Sequence, residues 1–426
     1  MKVVVGHHLW SEIGGSEVVN AHIIGILSNA GYKVIIASTY RLNKYVYDLY
    51  ERSFDIKMRD IKNYSLLPRK LPLFGFYQRF LFCLPLVNAV KKEKPDIVFV
   101  DNEFYKPLFY LKRKIKFGLI EYIHFPLHAL LICSKKRNLP IMSHMDAKRY
   151  LIDIKEYHEE YRSGLRGYYF KIWLRLFTKF ARENPFEIAD IVLANSKYIA
   201  NLVKALWQES PEVLNPPVKI KDFEPYAYKS FENREDAVVV ISRITPEKRL
   251  ENAIEAVARS ETKPLLRIIG TLPPTKSYYK RHLEKIARDR NVNIKFHQNV
   301  SRKELVKLAT SSKVLVHTTI GEHFGIAVVE GMAAGLPVIV HRSGGPYYDV
   351  IDCGKYGRFY EKIEELSENI DEFISDSKKW NEFHKKSLMR ARFYSDENFS
   401  KKFLSILEKL LEYKVECYNL TANKAK

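Results

Sequence analysis

Short apolar runs rich in Val and Ile alternate along this chain with longer stretches whose apolar positions recur at helical spacing. VVV at 3–5, VIIAS at 34–38, IVFV at 97–100, LIEYIH at 119–124 and IVLANS at 191–196 predict strands, and 16–30 predicts a helix between the first two. The runs are apolar throughout instead of alternating, as strands covered on both faces must be. A parallel sheet with helices on both sides follows. The pattern then restarts. AVVVISRI at 237–244, LLRIIG at 265–270, NIKFHQNV at 293–300, VLVHTTI at 314–320 and PVIVHRSGG at 337–345 predict a second set of strands, with helices at 250–260 and 302–311. Two such sets predict an α/β chain of two Rossmann-like, doubly wound domains. The periodicity breaks in EVLNPPVKIKDFEPYAYKSFENRED, where paired prolines and charges intervene. The domains are therefore placed at 1–218 and 219–399, with the amphipathic tail 400–426 expected to cross back onto the first.

Composition narrows the class. At 426 residues and 46% apolar, the chain can bury large cores and is not disordered. Its formal charge of +20 favours an anionic partner: nucleic acid, a membrane surface or a phosphorylated substrate. The four cysteines form no C-x-x-C pair and have no zinc spacing, so reduced thiols in a cytosolic compartment are expected. MKVVVGHHLW reads as a first strand and not a signal peptide. No stretch of about twenty residues stays apolar without charge, so any membrane contact is expected to be peripheral. The basic, aromatic stretch 134–182, ending GYYFKIWLRLFTKFAR, fits two arrangements: a helix lying in a lipid interface, or one packed on the first domain.

In open α/β sheets, ligands sit beyond the carboxyl ends of the strands, and four motifs fall there. SEIGGSEVVNAHIIGIL follows the first strand. Gly14 and Gly15 permit a tight turn, and the helix after them offers its N-terminus to an anion. In EYIHFP, His124 ends a strand. In SRITPEKRLENAI, Arg243 and Lys248 place two cations at a strand–helix junction, which suits a diphosphate. In TTIGEHFGIAVVEGMAAGLPVIVHRSGGP, Glu322 precedes a helix and Glu330 lies about two turns into it. They can flank an elongated ligand whose phosphates meet the free N–H groups of Phe324, Gly325 and Ile326. Each carboxylate would accept from vicinal hydroxyls, Glu322 from a sugar and Glu330 from a ribose.

Taken together, the E-x(7)-E element, the S-R-x-x-P-E-K stretch and the Gly-Gly loop resemble the retaining family-4 glycosyltransferases of GT-B fold. EHFGIAVVEGMAAGLPVIVHRSGGP, YIHFP and ANSKYIANLVKALW…VLNPPV resemble more narrowly the mannosyltransferases that extend lipid-linked oligosaccharides. The resemblance implies two domains facing across a cleft. It implies Arg243 and Lys248 on the donor diphosphate, Glu322 with the Phe324–Gly325 backbone on the donor sugar, and Glu330 on the ribose. Gly15 would approach the phosphates and His124 the reacting centre. The base would stack near Ile244 and meet backbone at Asn299 and Val300. The implied chemistry moves a hexose, mannose first and glucose next, from a nucleotide-diphosphate sugar with retained configuration, by same-face attack assisted by the leaving phosphate. No Asp-x-Asp occurs in the sequence, so no cofactor and no metal are expected.

The expected partners are a nucleotide sugar and a glycan or polyprenyl-linked glycan acceptor. An anionic membrane surface is a further candidate, with the protein in the cytoplasm or peripheral on the membrane's cytoplasmic face. Two other readings stay open: a nucleotide-sugar epimerase on the same fold, and a basic nucleic-acid-binding protein. The second would need a recognisable module, and none is found, so no nucleic acid is expected as a partner.

Overall fold

The computed structural model describes residues 1–10, 13–54, 56–71, 75–129 and 164–424. The chain divides into two compact units, Met1–Pro217 with Glu397–Lys426, and Val218–Asp396.

Unit 1 holds a seven-stranded sheet of β1 (Lys2–Gly6), β2 (Lys33–Tyr40), β3 (Lys62–Leu67), β4 (Ile97–Val100), β5 (Gly118–Ile123), β6 (Ile191–Ala194) and β7 (Glu212–Val213). Their order is β3-β2-β1-β4-β5-β6-β7, every neighbouring pair parallel. The central strands are buried along their length, which explains their unbroken apolar runs. Strands β3 and β7 lie at the two edges. In β3 only Tyr64 is buried, and β7 has two residues, so neither carries an apolar run to read.

Helix α1 (Gly15–Asn29) covers one face with Val19, Ile23 and Leu27. The last helix of the chain, Asp396–Lys424, belongs to this unit from Glu397 onward. Its Phe399, Phe403, Leu407 and Leu410 join the same core. Leu410 sits so close over β5 that a Cβ on Gly118 would lie 2.9 Å from its Cδ2.

The helix Gly164–Phe180 settles part of the aromatic stretch. Trp173 and Phe177 are fully buried. Trp173 stacks on Phe80 at 5.9 Å, and Phe177 meets Phe104 at 5.6 Å. These rings face unit 1 and not a lipid interface, because burying two large rings against Phe80 and Phe104 gains as much apolar contact without leaving the protein. The remainder of that expectation, 134–163, lies outside the described residues.

Unit 2 holds six parallel strands: β8 (Glu235–Ile241), β9 (Leu265–Gly270), β10 (Ile294–Gln298), β11 (Ser312–His317), β12 (Val338–His341) and β13 (Arg358–Tyr360). They run in the order β10-β9-β8-β11-β12-β13. Both sheets therefore reverse direction beside their first strand, between β1 and β4 in one and between β8 and β11 in the other. Ligands of doubly wound sheets bind at such switch points. Helices α2 (Leu250–Arg259), α3 (Arg302–Ser311) and α4 (Ile326–Ala333) cover this sheet.

Candidate active site

Two polar clusters occupy the two switch points. In unit 2, β8 ends at Ile241 and leads through Arg243 to a 3-10 turn, Pro246–Lys248. Arg249 takes a left-handed conformation (φ 49°) and opens α2. Next door, β11 ends at His317, and Thr318 Oγ1 donates to the Lys248 carbonyl at 2.6 Å. This bond ties the two strand ends together. It brings Lys248 Nζ to 2.5 Å from Glu322 Oε2, with the side chains only 15% and 22% exposed. Burial opposes the Glu322 charge. The Lys248 ammonium, with His317 and His323, outweighs it and holds the carboxyl well below the usual carboxylate range. His317 Nε2 lies 3.8 Å from Glu322. Burial pushes its imidazole down to about 4, the Glu322 charge opposing and Lys248 assisting, so it is neutral near pH 7.

Glycines build the turn that carries Glu322. Gly345 N donates to the Glu322 carbonyl at 2.8 Å, and Gly321 N to Ser343 Oγ at 2.9 Å. A Cβ on Gly344 would lie 2.3 Å from that carbonyl oxygen, and one on Gly345 2.4 Å from the His323 oxygen. The Gly-Gly pair is thus needed for close backbone packing. Gly325, at φ 96°, is the N-cap of α4, and Ile326 begins the helix. The Phe324 ring is buried against Tyr394, leaving its backbone as the part near the helix start.

Glu330 is held by a residue that sequence reasoning missed. Arg302, at the start of α3, hydrogen-bonds Glu330 through Nη1 and Asp222 Oδ2 through Nε at 2.9 Å, over the Phe223 ring. Arg243 stands apart from the Lys248–Glu322 pair. It is 63% exposed and lies 3.5 Å from Glu247. Asn299 has φ 53°, and its N–H donates to Gly270 O at the end of β9. Val300 packs against the core. Ile244 is wholly buried among core residues. Its side chain is therefore committed to the core and does not offer a stacking face for a base.

In unit 1, His124 follows β5. Its Nε2 lies 3.5 Å from Asp101 Oδ2, the residue just after β4. Asp101 Oδ2 also takes Asn20 Nδ2 and faces His7 Nδ1, each at 2.7 Å. His7 follows β1, so the His7–Asp101 pair spans this unit's switch point. Burial alone would lower the His7 imidazole, but Asp101 and Glu17 push it up to about 10, and Asp101 is held far below the carboxylate range despite its own burial. Gly14 and Gly15 lead directly into α1, whose Glu17 completes the cluster. His7, Glu17, Asp101 and His124 line a pocket of about 280 Å³. A wider, more open hollow at Arg41, Lys44 and Arg59 lies elsewhere in the unit. Its Arg59 is paired with Asp48 and Glu51. Sequence reasoning missed His7, Glu17 and Asp101. The rule that strand carboxyl ends carry ligands would have flagged GHH after β1 and VDNE at the end of β4.

Among the described residues no group of three or more His, Cys, Asp or Glu is placed to hold a metal ion, and no helix is long and apolar enough to cross a membrane.

Comparison with known proteins bears on both units. Residues 13–222 match the family model described as Glycosyltransferase Family 4, and residues 224–388 the one described as Glycosyl transferases group 1. A GDP-Man:Man(3)GlcNAc(2)-PP-Dol alpha-1,2-mannosyltransferase of Dictyostelium discoideum is 25% identical over 254 residues, covering 55% of this chain and 50% of the relative. The Homo sapiens protein of that name is 27% identical, covering 53% and 49%. A probable sucrose-phosphate synthase of Thermosipho melanesiensis is 30% identical, covering 46% and 47%. The chain spans about half the length of these curated relatives. Among solved structures, a sucrose-phosphate synthase from Thermosynechococcus elongatus superposes with a TM-score of 0.68 at 15% identity, over 97% of this chain and 99% of that one. WaaG, a glycosyltransferase involved in lipopolysaccharide biosynthesis, superposes with a TM-score of 0.64 at 16% identity, over 95% and 99%. These establish the GT-B fold for this chain.

Proposed function

We propose that this chain, which belongs to the glycosyltransferases built from a family 4 domain followed by a group 1 domain, moves a hexose from a nucleotide-diphosphate sugar to a glycan acceptor with retained configuration. The observation that carries this reading is the buried Lys248–Glu322 pair at the switch point of unit 2, with Glu330 farther along the helix that Glu322 precedes. Lys248 supplies fixed positive charge for the leaving diphosphate, and the first N–H groups of α4 add theirs. Arg243, exposed on the adjoining turn, exchanges Glu247 for the same phosphates. Glu322, kept ionised, accepts from sugar hydroxyls, and Glu330 from a ribose diol. His124 belongs to the sugar-binding side of the chemistry. No carboxylate is assigned as a nucleophile, so the acceptor attacks from the face the phosphate leaves, and the phosphate takes its proton.

Mannose is the favoured hexose and GDP its carrier, because the relatives named above carry GDP-Man in their names. Their acceptor, Man(3)GlcNAc(2)-PP-Dol, supports a polyprenyl-linked glycan here, met by a peripheral protein on the cytoplasmic face of a membrane. Lys248 and the helix N-terminus do the work that a diphosphate-bound metal would otherwise do, so the reaction runs without one.

The test is transfer from GDP-mannose and, in parallel, UDP-glucose to a short polyprenyl-diphosphate glycan in chelator, with the anomeric configuration of the product read by NMR. Retained configuration at full rate supports the reading. Inversion, epimerised donor without transfer, or activity only after adding Mn²⁺ or Mg²⁺ would each contradict the corresponding part of it.

A further inference from the structure

The hollow at Arg41, Lys44 and Arg59 lies on the carboxyl edge of the unit 1 sheet, beside the ends of β2 and β3 and away from the switch point. Tyr40 and Leu67, the last residues of those strands, are register partners, and Arg41 N donates to Leu67 O at 2.8 Å. This joins the two stretches that leave the sheet there, 41–44 and 68–71. The buried Gln78 holds the far end of the second. Its Oε1 accepts from Leu71 N at 3.1 Å and from the Tyr40 hydroxyl at 2.6 Å, and its Nε2 donates to Leu71 O at 3.0 Å. The hollow measures about 490 Å³, inside the roughly 300–1,000 Å³ usual for small-molecule sites. Three cations line it and no carboxylate does.

Its charge is one-sided. Arg59 is offset by Asp48 and Glu51. Among the described residues no carboxylate pairs with Arg41, Lys44, Arg69 or Lys70, and all four are exposed. Like charges gathered on one rim repel, so the fold gains nothing by collecting them. Lys44 also opens the helix Lys44–Phe54, whose first turn holds no acid. A cation there opposes the helix dipole, whereas α1 carries Glu17 in the corresponding turn. Asn43 Oδ1 already caps Val46 N at 3.0 Å, so the hollow offers an anion its side chains and not a bare helix end. The cations continue toward the switch point. Burial pushes the His8 imidazole down to about 3, and Arg79 and Lys70 push it the same way, which sets both cations near it. His8 and Arg79 in turn line the switch-point pocket. In or beside the same stretches, Tyr45, Leu66 and Leu71 are 63%, 44% and 45% exposed, so an apolar chain attached to the anion would find contact there.

We propose that this hollow holds the diphosphate of a lipid-linked acceptor, with Arg41 and Lys44 on its oxygens and the lipid against Tyr45, Leu66 and Leu71. The glycan then runs along the same rim toward the switch point. The proposal rests on the acceptor class given under Proposed function and names the residues of unit 1 that select it.

Calorimetric titration of the full chain with farnesyl diphosphate, in saturating GDP to fill the donor site, tests it. Lys44→Glu puts an acid in the first helical turn and should hold or raise the melting temperature, so weaker binding by it is not a loss of fold. Arg41→Ala is the second variant. Farnesyl diphosphate is expected to bind wild type, to weaken as salt is raised, and to lose roughly tenfold or more in affinity in each variant, while GDP affinity is unchanged. In transfer assays the KM for a polyprenyl-diphosphate glycan should rise in both variants and the KM for the donor should not. Inorganic phosphate, and vesicles of phosphatidylcholine with phosphatidylglycerol, separate the other sources of a phosphoryl group. Phosphate binding as tightly as farnesyl diphosphate would overturn the proposal. So would vesicle binding that Lys44→Glu abolishes while farnesyl diphosphate binding stays, or an affinity that neither variant alters. Absence of transfer from any nucleotide sugar, with farnesyl diphosphate still held through Arg41 and Lys44, would support the hollow's assignment and count against the reading under Proposed function.

Discussion

Lys248 Nζ lies 2.5 Å from Glu322 Oε2, although 74 residues separate them in sequence. One follows β8 and the other β11, strands that are neighbours only because the sheet reverses there. The pair is therefore a product of topology, and it fixes a positive charge beside a carboxylate where the fold admits a ligand.

Replacing Lys248 by Ala should lower turnover by about 10²–10³-fold, the range found when one preorganised group is removed from a developing anion. Stability should fall too, by about 1.5–3 kcal/mol near neutral pH, since a mostly buried carboxylate loses a charged partner. The folded Glu322 pKa is depressed, so its contribution is present above the unfolded value of about 4.3 and is lost as pH falls through the folded one. The stability gap between wild type and Lys248→Ala should accordingly narrow below about pH 4. Urea unfolding across that range, beside initial rates, checks both; a variant with wild-type turnover would remove Lys248 from the chemistry.

Arg302 and Glu330 should act as a unit toward the nucleotide. If Arg302 holds the carboxylate for a ribose diol, Glu330→Ala should weaken GDP binding by about 10–100-fold, in line with about 1.5–3 kcal/mol for a hydrogen bond to a charged group. Arg302→Ala should weaken it less, and the double variant no more than Glu330→Ala alone. Calorimetry on the three variants reads this directly. Additive losses would mean that Arg302 touches the ligand or the core independently of Glu330.

Gly344→Ala is expected to damage the Glu322 turn without touching any charged group. The residue has φ 70°, and an added Cβ would meet the Glu322 backbone at 2.3 and 2.8 Å. Strain at such a position costs about 1–3 kcal/mol, and the turn must move to relieve the overlap. A lowered melting temperature together with lost transfer is expected. Gly31→Ala is the control, with similar φ (78°) and open space around it, and should lower stability alone.

Much of this was written in local patterns. The strands at the centre of each sheet were visible because burial on both faces demands continuous Val and Ile, whereas β3 and β7, at the edges, had no such demand. Glu322, Glu330 and Lys248 stood out because strand–turn–helix junctions limit what they can do. Their partners did not. Arg302 meets Glu330 across two helices, and Ser343 supports Gly321 from the next strand, contacts set by packing and not by spacing. Ile244 was misjudged for a related reason: beyond the end of β8 the chain turns inward, and an apolar side chain there is claimed by the core before any ligand. The described part of the long aromatic stretch resolved the same way, since Trp173 and Phe177 had rings of their own unit to pack against.

Asp101 should reveal itself through the pH dependence of stability. In the folded chain the His7 imidazole keeps its proton up to about pH 10, against about 6.5 when unfolded. Its stabilisation is therefore full below about pH 6.5 and is lost as pH rises through about 10. Asp101 behaves oppositely: its carboxyl is held far below the usual range, so its contribution is full above about pH 4 and lost in acid. The two overlap fully only between about pH 4 and 6.5. Asp101→Asn removes the charge but keeps the shape, so the stability lost to it should be greatest near pH 5.5 and smaller near pH 9.5. The gap narrows without closing, because a pH of about 9.5 still lies below the value of about 10 at which His7 gives up its proton, and Asn20 Nδ2 loses its charged acceptor in the variant at either pH. Urea unfolding at those two pH values measures the difference. An equal loss at both would mean that Asp101 does not govern the His7 proton, and that the two residues share a switch point without sharing a charge.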